Sequence, residues 1–303
     1  MSTNKGISLH IGVNRLDPAG YPLTQRKPED PAAWEGPLTA CERDAEDMCK
    51  IAESQGFEPT ILKTADATSE NVIAAIRDAA ARLRKGDIFL MTYAGHGGQV
   101  PDSSGDERDM IDETWCLHDR QFLDDEQFAL YTEFEEGVRV LILSDSCHSG
   151  TVTRAAPGIA DSVATEGRPV SRNMPRDTAF AIYDANASFY DELQRNVKKV
   201  KADDVKVSIR LISACQDDQE ASDGVFNGKF TGTVKKVWDN GAFQGSYVEF
   251  HQAIRDAIVA DYDSAVQSRA AGEISWDPIP QTPKTTAEGQ PDVDFDSQKP
   301  FSI

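Results

Sequence analysis

The chain reads as an α/β protein with a mostly parallel central sheet flanked by helices on both faces. Three observations predict this. Five short apolar runs have the length and β-branched content of strands covered on both sides. Stretches with apolar residues three and four apart separate the early runs. The resulting βαβα order is that of a parallel sheet, whose ligand sites gather beyond the carboxyl ends of the strands.

The first run is Ser8 to Val13. A helix is predicted over Thr39 to Gln55, followed by the second strand, Glu58 to Lys63. The next helix, Thr68 to Arg84, opens on Thr68-Ser-Glu-Asn, in which the threonine hydroxyl can accept from a free first-turn amide. The third strand, Asp87 to Ala94, is far too short to cross a bilayer. Gly- and acid-rich residues over 97–125 predict loop, and Arg139 to Asp145 is the fourth strand. Residues 151–175, with Arg154, Arg168 and Arg172 among Pro, Gly, Ser and Ala, again predict loop. Ser208 to Ala214 is the fifth strand, Tyr247 to Ala260, extending towards Arg269, is a helix, and the tail from Trp276 is polar and Pro-rich.

Composition narrows the function classes. A chain of 303 residues with 39% hydrophobic content can bury one large core or two small ones. With 51 acids against 31 bases its net charge is −20, which argues against a nucleic-acid partner and suits either a cationic ligand or simple solubility. The N-terminal Met-Ser-Thr-Asn-Lys-Gly has no signal-peptide core and no run could span a membrane, so a cytoplasmic location without membrane contact is expected. Five cysteines without CxxC spacing support neither a disulfide framework nor a zinc ribbon.

The chemistry sits at two strand ends. The third strand runs into Tyr93-Ala-Gly-His96-Gly-Gly and the fourth into Ser144-Asp-Ser-Cys147-His-Ser-Gly150. An imidazole beside a thiol raises its thiolate fraction and can later protonate a leaving amine. The backbone N–H groups of Gly97 and Cys147 could hold an oxyanion. On chemistry alone, a buried structural Cys and His is an equal alternative. His148, next to the thiol, is read as structural, and Cys41 and Cys215 as pocket-wall or core thiols.

Together, Tyr93-Ala-Gly-His-Gly-Gly-Gln99, Asp145-Ser-Cys-His-Ser-Gly150 and Ile212-Ser-Ala-Cys-Gln-Asp-Asp-Gln219 resemble the metacaspases and bacterial orthocaspases of the caspase-like peptidases, family C14 of clan CD. Cys147 follows His96 by 51 residues, close to the caspase interval of about 50. Leu38-Thr-Ala-Cys-Glu-Arg-Asp44, Tyr247-Val-Glu-Phe-His and Gln281-Thr-Pro283 extend the likeness over nearly the whole chain.

The resemblance implies the caspase–hemoglobinase fold in a single domain over 1–303. Residues 1–150 would form a large-subunit-like part with His and Cys, 151–205 an intersubunit-type segment, and 206–303 a small-subunit-like part. It also implies a cysteine endopeptidase, expected as a monomer, acting on polypeptides with Arg or Lys at the cleavage position and needing no cofactor for its chemistry. Cys147 would be the nucleophile and His96 the acid/base. Asp44 and Asp145, with Cys41 in the wall, would line the primary pocket, where paired carboxylates suit a guanidinium.

Calcium is a further expectation by resemblance, through Asp112, Asp124 and Asp125, but Arg154 stands where the family has a fourth acid. A weak calcium site and a plain solvated acidic loop stand as equal readings. Arg154, Arg168, Arg172, Arg176, Lys198, Lys199 and Lys201 lie where related enzymes are cut, so self-cleavage and ordinary loop charge are both open there. The rival class is a catalytically silent caspase-like adaptor, against which the presence of both His96 and Cys147 speaks. A related peptidase with Asn or Asp specificity fits poorly with two pocket acids.

Overall fold

A computed structural model describes residues 4–24, 31–102, 111–146, 170–197, 199–200, 204–216, 219–292 and 294–303. Its centre is a six-stranded sheet in the order β11-β9-β7-β3-β1-β2. The strands are β1 Gly6–Gly12, β2 Glu58–Lys63, β3 Ile88–Ala94, β7 Arg139–Asp145, β9 Ser208–Ser213 and β11 Lys284–Gly289. All pair in parallel except β11, which runs antiparallel to β9.

The continuous apolar runs follow from coverage on both faces. Phe89, Met91 and Tyr93 of β3 and Val140 and Ile142 of β7 enter one core. Ile88, Leu90, Leu141 and Leu143 enter the other. The first core is closed by α2 Ser69–Arg82, α3 Asp124–Tyr131 and α4 Arg176–Asn196, through residues such as Val72, Ile76, Leu130 and Ile182. The second is closed by α1 Cys41–Ser54, α5 Lys229–Trp238 and α6 Tyr247–Ala270, through Met48, Phe230, Trp238, Phe250 and Ile254. Helix starts are capped as their sequences suggest. Thr68 accepts from Asn71 N, and Ser246 and Glu249 form a capping box.

Five segments differ from the sequence-based expectation. Within the segment expected as loop over 97–125, the described residues form a three-stranded antiparallel sheet of β4 Gly97–Pro101, β5 Ile111–Cys116 and β6 Gln121–Leu123. The acids around 102–109 masked the inward Trp115, Phe122 and Leu123, all buried. α4 went unread because its buried residues, Ala179, Ile182 and Tyr190, are sparse and its outer face carries exposed Phe180 and Phe189. α5, whose buried Phe230, Val234 and Trp238 recur four residues apart, is not among the predicted helices. β11, Lys-Thr-Thr-Ala-Glu-Gly, is a polar edge strand without an apolar signature.

The end of the segment expected as loop over 151–175 also holds a short strand, β8 Val170–Ser171. It pairs antiparallel with β10 Ser222–Asp223. Among the described residues no helix is long and apolar enough to cross a membrane.

Candidate active site

The carboxyl ends of β1, β3 and β7 lie side by side, with Gly12 opposite Ala94 and Ala94 opposite Asp145. They therefore deliver three connecting segments to one edge of the sheet. After β1, the side-chain oxygen of Asn14 accepts from Cys41 N at 2.9 Å and Glu42 N at 3.3 Å, which fixes the start of α1. Asp44, in the first turn of that helix, is thereby held over the sheet edge.

After β3 the chain turns through Gly95 to His96. A Cβ at Gly95 would lie 2.4 Å from the Tyr93 hydroxyl, so only glycine fits. That hydroxyl sits 2.8 Å from His96 O and 3.0 Å from Cys116 O, and its ring stacks on Trp115 at 4.5 Å. The His96 backbone is thus tied to the hydrophobic core.

The His96 side chain is buried. Its Nε2 donates to Gly36 O at 3.1 Å, its ring packs against Trp34 at 4.8 Å, and its Nδ1 has no hydrogen-bond partner among the described residues. In that tautomer Nδ1 is an open acceptor. Burial lowers the pKa of the imidazole to about 4, so it is neutral at physiological pH. Gly36 has a φ of +48°, and a Cβ there would lie 2.9 Å from His96 Cδ2. Cys147 and His148 lie outside the described residues. β7 ends at Asp145, two residues before Cys147, and Ser146 is buried.

Beside His96 lies a buried acid pocket. Asp44 and Asp145, 1% exposed each, are joined by Asp223, also 1% exposed. All three face the guanidinium of Arg172, which is fully buried. Arg172 Nη2 donates to Asp44 Oδ2 at 2.6 Å and Asp223 Oδ1 at 2.8 Å. Its Nη1 donates to Asp145 Oδ2 at 2.9 Å and Asp145 O at 3.2 Å.

The carboxylates are themselves positioned. Gly228 N donates to both Asp44 oxygens at 3.1 Å, Asn227 Nδ2 donates to Asp44 Oδ1 at 2.8 Å, and Thr231 N and Oγ1 donate to Asp145 Oδ2 at 3.0 and 2.8 Å. Asp223 accepts from Thr39 N at 2.7 Å and Ala40 N at 3.3 Å. A Cβ at Gly228 would come within 2.6 Å of Arg172 Cζ and Asp145 Oδ2, so the pocket wall requires glycine there. Burial raises Asp44 to about 6, opposed by the charge of Arg172 and reinforced by that of Asp145.

Arg172 is also engaged through its backbone. Its N donates to Ala221 O at 2.9 Å, continuing the β8–β10 pairing, and its O accepts from Gly97 N at 3.0 Å. Met174 N then donates to Gly97 O at 2.8 Å.

The remaining sequence candidates fall in different places. Cys41 is buried beside the pocket among Leu38, Ala94 and Val170, and burial raises its thiol well above the ordinary range. Cys215 Sγ contacts Ser146 O at 3.7 Å. Arg176 is exposed at the start of α4, over the Phe180 ring, and Lys199 is exposed beyond that helix. Arg154, Arg168, Lys198 and Lys201 lie outside the described residues.

Asp124 is raised to about 8 by burial and by the charges of Asp112 and Asp125. No three His, Cys, Asp or Glu among the described residues are grouped to hold a metal ion. Sequence reasoning missed Asp223, Asn227, Gly228 and Thr231, which carry no motif signal. It read Arg172 only as a loop charge or cleavage point.

Comparison with known proteins follows the same lines. The family described as Caspase domain, Peptidase_C14, matches residues 30–286. Metacaspase-1A of Aspergillus oryzae is 27% identical over 269 residues, covering 77% of this chain and 63% of its own length. Metacaspase-1 of Saccharomyces cerevisiae is 26% identical, with 66% and 52% covered. The chain thus spans between about half and two thirds of the length of these relatives. The crystal structure of protein GSU0716 from Geobacter sulfurreducens matches with a TM-score of 0.79 and 46% identity over 99% of both chains. Caspase-1 from Spodoptera frugiperda matches with a TM-score of 0.53 at 12% identity over 93% of this chain and 86% of its own, a likeness of fold alone.

Proposed function

The chain belongs to the caspase-domain family Peptidase_C14, and on that premise we propose that it is a cysteine endopeptidase cutting polypeptides after arginine, and less readily after lysine. The observation that carries this reading is the guanidinium held by Asp44, Asp145 and Asp223 beside His96. The two terminal nitrogens of Arg172 are each bound by separate carboxylates, a fork that a lysine ammonium could not span, which favours Arg.

In the proposed reaction Cys147 attacks the carbonyl after the basic residue. His96, neutral and with Nδ1 open, takes the thiol proton and later gives it to the leaving amine. Gly97 N–H and the Cys147 amide hold the oxyanion, a role supported for Gly97 by its donation to a peptide carbonyl. Such a donor contributes about 3 kcal/mol to lowering the barrier. Water then hydrolyses the thioester. Self-cleavage between the nucleophile segment and β9 belongs to the same reading.

Calcium is proposed as a modulator through Asp112, Asp124 and Asp125 and not as a reactant. Their oxygens are of the kind a hard cation takes, but among the described residues the three acids are not grouped to hold one. Asp124 is raised first by burial and then by the charges of Asp112 and Asp125, and only that second part would be relieved by a cation. No step is routed through it.

The test compares fluorogenic peptides ending in Arg, Lys and Asp, with the Cys147→Ala protein as control. Cleavage in the order Arg, then Lys, with none after Asp, is expected. No cleavage of any peptide, with calcium or with chelator, would refute the assignment.

A further inference from the structure

We propose that Trp34 is a positioning residue for the acid/base: the segment between β1 and α1 lays its indole against the imidazole of His96 and so holds the ring in one orientation with Nδ1 as its free nitrogen. The inference rests on the peptidase reading of the same site and adds a residue to it.

The fold does not need this segment to join its two ends. Leu38 N donates to Asn14 O at 2.8 Å, so the path from β1 to α1 is already closed at that bond. A strand and the helix after it are usually joined by about 2–6 residues, and much longer connections without regular structure generally serve function. The residues between Asn14 and Leu38 are nevertheless built in. Asp17 N donates to His118 O at 2.8 Å, and the hydroxyl of the fully buried Tyr21 donates to Leu117 O at 2.6 Å. Gly20 passes so close to the same turn that a Cβ would lie 1.9 Å from Asp119 O. The chain then returns across this anchor, Trp34 N donating to Tyr21 O at 3.0 Å and Leu16 N to Glu35 O at 2.9 Å.

What the segment presents to the site is Trp34 and Gly36. The bond from His96 Nε2 to Gly36 O, at 3.1 Å, fixes one point of the imidazole and leaves the ring free to swing about it. The indole meets that ring with centroids 4.8 Å apart and planes at 54°, which removes the swing. Gly36 is what lets the two rings meet, because a Cβ there would lie 2.9 Å from both His96 Cδ2 and Trp34 Cη2. The His96 backbone is held separately, its carbonyl accepting from the Tyr93 hydroxyl at 2.8 Å and from Cys116 N at 2.9 Å. Trp34 itself is only half-buried, so covering the core does not account for its place. Indole is also the side chain best suited to a neighbouring cation, which the imidazole becomes when it takes the thiol proton.

The experiment uses the purified full chain with ¹⁵N-labelled histidine. The His96 ring nitrogens are followed by NMR at pH 7.5, identified by their loss in His96→Gln, and hydrolysis of an Arg-ending peptide is measured alongside. His96 is neutral at this pH, so a single tautomer gives two well-separated nitrogen signals. Trp34→Leu should bring the signals towards one another as the tautomers exchange. It should also lower kcat about ten- to a hundredfold while KM stays within about twofold. Trp34→Phe keeps a ring, and should return the separated signals and a kcat within about threefold of wild type. Thermal melting verifies folding, and Trp34→Met, apolar and without a ring, takes the place of Trp34→Leu if that chain does not fold.

Nitrogen signals that stay separate in the folded variant overturn the proposal, whatever kcat does. A kcat within about twofold of wild type overturns it as well, and a rise in KM alone sets the indole against the substrate instead of the base. If the wild-type chain cuts no peptide the peptidase assignment falls, and the nitrogen signals still decide whether Trp34 holds the ring.

Discussion

Arg172→Gln in a Cys147→Ala background isolates the electrostatics of the pocket from any cleavage. The substitution removes four hydrogen bonds from two guanidinium nitrogens, at 2.6 to 3.2 Å, and leaves Asp44, Asp145 and Asp223 facing one another without their cation. All are almost fully excluded from water, so solvent screening offers little relief. Removing one partner of a buried ion pair costs about 3–5 kcal/mol, a large part of the roughly 5–15 kcal/mol that holds a domain folded.

The loss should depend on pH with a defined sign. Burial already raises Asp44 to about 6 with Arg172 present. Without the cation its folded pKa rises further above the unfolded value. A group of this kind penalises the fold above its folded pKa, and the penalty is lifted as pH falls through it. Urea unfolding of the variant and its parent at pH 7.5 and pH 5 should therefore give a difference of about 3–5 kcal/mol at the higher pH and a clearly smaller one at the lower. A difference below about 1 kcal/mol at pH 7.5, or one that grows on acidification, would refute the charge argument.

Gly36→Ala forces a side chain into a backbone with φ of +48° and against His96 Cδ2. We expect about 1–2 kcal/mol lost from folding and a fall in kcat of about ten- to a hundredfold, measured by melting and by peptide hydrolysis. His96, with its folded pKa near 4 against 6.5 unfolded, favours the fold in its neutral form. Its contribution of about 3 kcal/mol is present above pH 6.5 and lost as pH falls towards 4, so His96→Gln should flatten the stability curve over that interval. Calcium at millimolar concentration should raise the melting temperature of the wild-type protein but not of Asp124→Asn; an equal shift in both would remove Asp124 from the cation site.

The strand ends that carry the proposed site were legible as strand ends in the sequence because strands covered on both faces must be apolar throughout. The runs ending at Ala94 and Asp145 therefore stand out, and the motifs that follow them carry His96, Gly97 and Cys147. The antiparallel sheet formed by β4, β5 and β6 was not legible, since the acid-dense sequence between β4 and β5 outweighed the inward-facing Trp115 and Phe122. α4 and β11 failed for a related reason: an element lying at the surface buries too few residues to impose a period.

What the sequence by itself determined was the parallel core, the family motifs and two of the acids, Asp44 and Asp145, because each follows from local pattern or from ordered spacing. What only the tertiary structure decided was the pocket as a unit. Gly228 reaches Asp44 from 184 residues away and Thr231 reaches Asp145 from 86, Asp223 joins them only through Arg172, and no local period encodes such pairings. Arg172, an ordinary basic residue of a polar segment in the sequence, acquires its meaning only where the fold buries it: a charge removed from water must find its partners, and these lie on elements that meet only at the sheet edge.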